Sequence, residues 1–178
     1  MDREVIADAS PLIGLSIVDG LDWLPRLFGH VAVPDVVCDE VLSGRFDQSE
    51  TRIRAAFSSG ALRLVADRNE ACQVTANEDD EDDDLARLDA GEKACIRLAL
   101  RYLVERPATN VWLLMDDQAG RRVALANRLQ VMGCAGLIQL ARKVGLIPAA
   151  KPIFARLHAA GFWLAPPIVQ LVLRSVGE

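Results

Sequence analysis

Val111-Trp-Leu-Leu-Met-Asp-Asp-Gln-Ala-Gly-Arg-Arg122 is the stretch on which the fold turns. The five apolar residues Val111 to Met115 are too few for a typical core helix, but they suit a short strand buried on both faces. The run ends in two carboxylates, Asp116 and Asp117, followed by a small polar turn and then Arg121 and Arg122. In open parallel sheets, ligands bind beyond the carboxyl ends of the strands. Two acids at such an end point to a site that holds a cation. The same two residues would also serve simply to end a strand and cap the next helix.

On either side the chain repeats this arrangement. Strands are expected at Glu4 to Ala7, Val31 to Val33, Leu62 to Ala66 and Leu129 to Met132. A helix is expected after Asp8, with Ser10 as N-cap and Pro11 at the first helical position. Further helices are expected near Leu21 to Phe28, Asp35 to Leu42, Asp47 to Ser59, Gly120 to Arg128 and Leu137 to Val144. Asp89 and Glu92 have the spacing of a capping box and open another helix, which Pro107 stops. Alternation of this kind argues for an α/β fold: a parallel sheet with helices on both faces. No G-x-G-x-x-G follows the first strand and no G-x-x-x-x-G-K-[ST] occurs, so dinucleotide and P-loop binding lack support.

The 178 residues fit one domain with an appendage. The expected division is a body at 1–147, with an insert at about 67–84, and a C-terminal helical extension at 148–178 packed on that body or on a partner. The extension reads as helices at Lys151 to Ala160 and Pro167 to Val176, punctuated by prolines. No apolar run has the length of a membrane span, and the charged start lacks the features of a signal peptide; a cytoplasmic location is expected. Cys38, Cys72, Cys95 and Cys134 stand far apart without histidine neighbours, and read as small core residues rather than zinc ligands. The net charge of −5 comes from one segment, the seven consecutive acids Glu78 to Asp84; removing them turns −5 into +2. That segment reads as a solvated loop, with loose cation binding or the shielding of a basic groove as alternatives. The acidic total does not argue against a polyanionic partner for the rest.

Four acids occupy comparable places. Asp8 ends the first strand, Asp116 and Asp117 end a later one, and Glu40 and Glu92 lie on helices. Glu40 stands beside its helix's apolar face, at a cleft or merely at a solvated rim. Clustered carboxylates repel one another and are costly to bury unless cations neutralise them. Hard oxygen ligands suit Mg²⁺ or Mn²⁺, ions that favour phosphoryl chemistry. The only histidines, His30 and His158, read as structural or surface residues.

Several short pieces, in this order and spacing, carry a family resemblance. They are Val5-Ile-Ala-Asp-Ala-Ser-Pro-Leu-Ile13, Leu21-Asp-Trp-Leu-Pro-Arg-Leu-Phe-Gly29 and Val33-Pro34 leading to Glu40. Leu88-Asp-Ala-Gly-Glu92, Leu113-Leu-Met-Asp-Asp-Gln-Ala-Gly-Arg121 and Val131-Met-Gly-Cys-Ala-Gly-Leu137 follow. Together they resemble a PIN-domain protein of the DUF3368 group, similar to the VapC-type toxin ribonucleases. The resemblance implies a three-layer α/β/α nuclease fold whose acids hold one or two Mg²⁺ or Mn²⁺ ions and cleave RNA, as the toxin of a type II toxin–antitoxin system. It implies Asp8, Glu40, Glu92 and Asp116 as catalytic metal ligands and Asp117 as a fifth acid acting through water. Ser10 matches the hydroxyl that steadies the first acid. Many toxin relatives have Asp at the third position, where this chain has Glu92 with Asp89 nearby; the acidic insert and the helical tail also depart from the compact toxin pattern. A PIN-like scaffold that has lost activity, a binding or regulatory module, is the alternative.

The basic residues then acquire expected roles. Arg121 would clamp a phosphate or offset the acids, and Lys93, Arg97 and Arg122 would contact RNA, with Arg101 continuing the same helix face; a merely solvated basic helix face is the alternative. Expected partners are the RNA substrate, a cognate antitoxin and a second copy in a homodimer. Trp163 in the apolar tail suits the last.

Overall fold

The computed structural model describes residues 3–45, 47–66 and 88–178. The insert expected at about 67–84, with its seven acids and Cys72, lies outside the described residues. Among the described residues the order is β1 (Arg3–Ala7), α1 (Ala9–Ile17), α2 (Trp23–Phe28), β2 (Val31–Pro34), α3 (Asp35–Val41) and α4 (Asp47–Ser58). Then come β3 (Leu62–Val65), α5 (Ala90–Glu105), β4 (Asn110–Leu114), α6 (Gln118–Ala126), β5 (Gln130–Met132), α7 (Cys134–Lys143), α8 (Lys151–Ala159) and α9 (Pro166–Ser175). All five expected strands are present and pair in parallel, in the order β3-β2-β1-β4-β5.

That order follows from burial. Val5, Ile6, Ala7, Val31, Ala32 and Val33 are fully buried, as central parallel strands covered on both faces must be. The chain builds outward from β1 through β2 to β3, then returns to place β4 on the other side of β1. The seam between β1 and β4 is therefore the topological switch point, where open sheets leave a crevice for ligands. In register, Ala7 faces Leu114, so both strands end level, with Asp8 directly after one and Asp116 two residues after the other.

Three helix starts differ from the sequence reading. Asp8, not Ser10, is the N-cap of α1, and Ser10 and Pro11 lie within its first turn. The first-turn N–H groups have no intrahelical partner, so Pro11 loses nothing there. Helix α6 starts at Gln118 because Asp117 caps it. Helix α7 starts at Cys134, with Gly133 as N-cap, so the stretch up to Gly136 that reads as a turn is already helical.

Helices α8 and α9 pack back on the body. Phe154, Leu157 and Val172 are buried, and α9 lies along α7. Arg156 donates to the Ile17 carbonyl oxygen at 2.9 Å and pairs with Asp19 at 2.6 Å, which Arg52 also holds at 2.9 Å. The Glu178 carboxylate accepts from the backbone N–H groups of Ala150 and Lys151, each at 2.9 Å, and closes the start of α8. Trp23 is buried, whereas Trp163 is 72% exposed. Cys95 and Cys134 are buried free thiols, as small core residues should be; Cys38 is half-buried. Among the described residues no helix is long and apolar enough to cross a membrane.

Candidate active site

Asp8 follows β1 directly and is buried. Its backbone N–H donates to the Leu114 carbonyl oxygen at 3.0 Å, tying the ends of β1 and β4 together. Glu40 reaches the same place from the end of α3. The common landmark is Gly91: a Cβ there would stand 3.3 Å from Glu40 Oε2 and 3.4 Å from Asp8 Oδ1. A Cβ at this position would crowd Val37 and Glu40 slightly, so glycine lets the first turn of α5 lie close to both carboxylates.

Glu92, the next residue, is only 6% exposed. Its backbone N–H donates to Asp89 Oδ1 at 2.8 Å, and its Oε2 accepts from the Asp89 N–H at 3.0 Å, so the capping box forms as its spacing predicts. The Glu92 carboxyl also abuts the start of α6, where a Cβ on Gly120 would meet Oε1 at 3.4 Å. There Asp117 Oδ1 accepts from Ala119 and Gly120 N–H at 2.7 and 3.0 Å, and its carboxylate is hydrogen-bonded to Glu92.

Asp116 completes the row. Its Oδ1 accepts from the Cys134 N–H at 2.9 Å, at the first turn of α7. Its Oδ2 is buried and, among the described residues, has no hydrogen-bond partner. Arg121 lies beside it and donates to the Met115 carbonyl oxygen at 2.9 Å, so its guanidinium offsets the row from one end. Ser10 is half-buried in the first turn of α1 and Asp89 is exposed at its cap. Lys93 and Arg97 are half-buried on α5, and Arg122 is exposed on α6.

The electrostatics follow from crowding like charges in partly desolvated positions. Burial, then the neighbouring Asp89, Glu40 and Asp116, push the Asp8 carboxyl up to about 7. Burial, then Asp89, Asp117 and Asp8, push Glu92 up to about 7 as well. Glu40 is raised by desolvation and by Asp89. Asp116 is raised by burial, which outweighs the Cys134 donors and Arg121. Asp117 alone goes down: desolvation opposes it, but the N–H groups of Gly120 and Ala119 win. The two strand-end acids therefore divide, with Asp117 serving as a cap and Asp116 keeping one oxygen unused.

These donors fit a hydrated divalent cation. A buried carboxylate oxygen without a partner and two carboxyls held near neutrality are what a row of acids shows when no positive charge balances it. Among the described residues no three Asp, Glu, His or Cys side chains stand together as a ready-made cage. Mg²⁺ commonly takes only one or two carboxylates and keeps several waters, which suits pairs such as Asp8 with Glu40 better than a closed cage does.

The sequence singled out the acids but not the glycines that admit them. Gly91, Gly120 and Gly133 lie at helix starts where a Cβ would meet Glu40 and Asp8, Glu92, or Asp116. A glycine just before or inside a helix's first turn, next to an acid of interest, was the available signal.

The fold and this edge define a layered α/β protein with a carboxylate-lined site at its switch point. The chain belongs to the DUF3368 family of PIN domains, whose pattern matches residues 4–178. That membership points to a nuclease in general, of a kind that uses divalent metals. No curated protein matches the chain.

Proposed function

We propose that this protein is a Mg²⁺- or Mn²⁺-dependent endoribonuclease and the toxin of a type II toxin–antitoxin pair, as the VapC resemblance implies. The observation that carries the reading is that Asp8 and Asp116, at the ends of the adjacent strands β1 and β4, are charged neighbours at the switch point. Glu40 and Glu92 stand nearby, and one Asp116 oxygen is buried without a partner. Asp8, Glu40, Glu92 and Asp116 would hold the metal, with Asp117 acting through water. A bound ion of this kind polarises a phosphate and lowers the pKa of its water. The chain's own residues supply the rest. The Cys134 N–H fixes Asp116, Ser10 lies in the turn just after Asp8, and Arg121 offsets charge at the end of the row. Lys93, Arg97 and Arg122 would hold the RNA backbone. An antitoxin would cover this edge. The exposed Trp163, with Ile168 and Leu171, offers an apolar surface for a second copy.

The second reading, an inactive PIN-like module, draws on two observations. Glu92 Oε2 is engaged in a capping box, and no three ligating side chains cluster among the described residues. Incubation of the purified protein with single-stranded RNA and Mn²⁺ decides between them. Cleavage that chelator and Asp8→Asn both abolish supports the nuclease. Absence of cleavage together with no heat of Mn²⁺ binding in calorimetry supports the module.

A further inference from the structure

At the opposite end of the strands, Glu4 is the second residue of β1, and its carboxylate is held by two arginines with His30 beside it. Arg63 Nη2 and His30 Nε2 approach Glu4 Oε2 at 3.5 and 3.7 Å, and Arg106 pairs closely with Oε1. The exposures are lopsided. The Glu4 side chain is 12% exposed, whereas Arg63 and Arg106 are 50% and 48% exposed. The anion is covered by its own cations, so the face turned to solvent is positive. One carboxylate also cannot engage the five donors of each guanidinium, which leaves N–H groups for an outside anion.

This cluster is continuous with the basic stripe on α5. Lys93, Arg97 and Arg101 recur every four residues, one turn apart, and cover about 12 Å of helix. Arg101 and Arg106 both lie over the Tyr102 ring, at 5.9 and 5.0 Å from its centroid, and Arg101 also pairs with Glu105 at 3.9 Å, so the stripe runs past this one acid to Arg106 and through Glu4 to Arg63. Along β1, Glu4 stands four residues from Asp8, or roughly 13 Å.

We propose that Arg106 and Arg63, seated on Glu4, form a second phosphate-binding site, and that an RNA strand leaving the acid edge along α5 is gripped there. The identity of the polymer rests on the ribonuclease reading; the site itself rests on the charge arrangement. Its function is affinity for longer RNA, at a distance from the reacting phosphate.

The test is binding of fluorescent single-stranded RNA by anisotropy, in buffer with chelator, across a salt series. The oligonucleotides are about 16 and about 4 nucleotides long, near the limits of single-strand site sizes. For the Arg63→Gln/Arg106→Gln double variant, affinity for the long RNA is expected to fall about tenfold. The slope of log K against log salt becomes shallower by about 1.4, or 0.7 per lost contact. The short RNA is unaffected. Glu4→Gln changes the long-RNA affinity in the opposite direction, because it removes the negative charge beneath the two guanidiniums, and it keeps the proposal testable should the double variant fold poorly. Unchanged affinity and slope in the double variant, equal losses for both RNAs, or weaker long-RNA binding by Glu4→Gln overturn the proposal. So does an unsubstituted chain that binds neither RNA. Intact binding without cleavage in Mn²⁺ sinks the nuclease reading and leaves this site standing.

Discussion

The backbone N–H of Asp8 donates to the carbonyl oxygen of Leu114 at 3.0 Å, one step beyond the last paired residues of β1 and β4. This bond extends the switch-point seam to Asp8, which is level with Met115, and Asp116 follows one residue further along the neighbouring strand. Their side chains are not interchangeable. Asp8 lies against Gly91 and Glu40, and Asp116 against Gly133 and Arg121. If both ligate the metal, Asp8→Asn and Asp116→Asn each lower RNA cleavage by about 100-fold or more, the scale of losing preorganised charge stabilisation. Circular dichroism of both variants is expected to match the unsubstituted chain. Full activity in either would remove that residue from the site.

The raised acids predict how stability depends on pH in the absence of metal. Asp8 and Glu92 titrate at about 7 in the folded chain, against about 4 in the unfolded one. Between these values the folded chain holds protons that the unfolded chain has released, so the contribution is favourable below about 4 and lost as pH rises through about 7. Urea midpoints in chelator are expected to fall from pH 5 to pH 8. Asp8→Asn flattens that fall and is the more stable chain at pH 8, by about 2 kcal/mol. Mn²⁺ added at pH 8 restores the unsubstituted chain and not the variant. A flat profile in chelator contradicts the crowding of charge described at this edge.

Gly133 gives a steric prediction. A Cβ on this residue would collide with Asp116 Oδ1 and stand 3.2 Å from Arg121 Nη1. Its backbone is not in the left-handed region, so the cost of Gly133→Ala is spatial and not conformational. Asp116 must move, and the Cys134 N–H loses its acceptor. The expected destabilisation is about 1–3 kcal/mol, the range for overpacking, with a larger proportional loss of cleavage than Gly136→Ala causes. Denaturant midpoints and initial rates on the same preparations measure both.

The strands were legible because each is a short apolar run with punctuation, and buried parallel strands show little else. Val111 to Met115 showed its class from length alone. The helix starts were harder, because capping depends on which side chain turns back. Asp8, Ser10 and Asp117 all suit a cap by residue type, and only the backbone angles and hydrogen bonds select Asp8 for α1 and Asp117 for α6. The acids of the site were readable as acids at element ends. Their separation into a capped Asp117 and an Asp116 with one oxygen unused was not, since it depends on the Cys134 N–H eighteen residues away. The Glu4 cluster was invisible in sequence for the same reason: Arg63 and Arg106 lie 59 and 102 residues from their shared carboxylate.

Glu92 serves two possible ends, and one substitution separates them. As a capping-box residue it needs only an acceptor at Oε2 for the Asp89 N–H, and glutamine supplies one. As a metal ligand it needs a charge. Glu92→Gln is therefore expected to keep the folded chain's stability, and to raise it at pH 8 in chelator, where the ionised glutamate is least welcome. Cleavage falls by an amount comparable to Asp116→Asn. Asp89→Ala does the converse: it removes the acceptor for the Glu92 N–H and costs about 1 kcal/mol of stability. It also takes one negative neighbour away from Asp8, Glu40 and Glu92, so their carboxyls ionise at lower pH. Its cleavage-versus-pH curve is expected to shift to lower pH with the maximum rate retained. Should Glu92→Gln cleave at the unsubstituted rate, Glu92 is a cap alone and the third acid must be sought at Asp89.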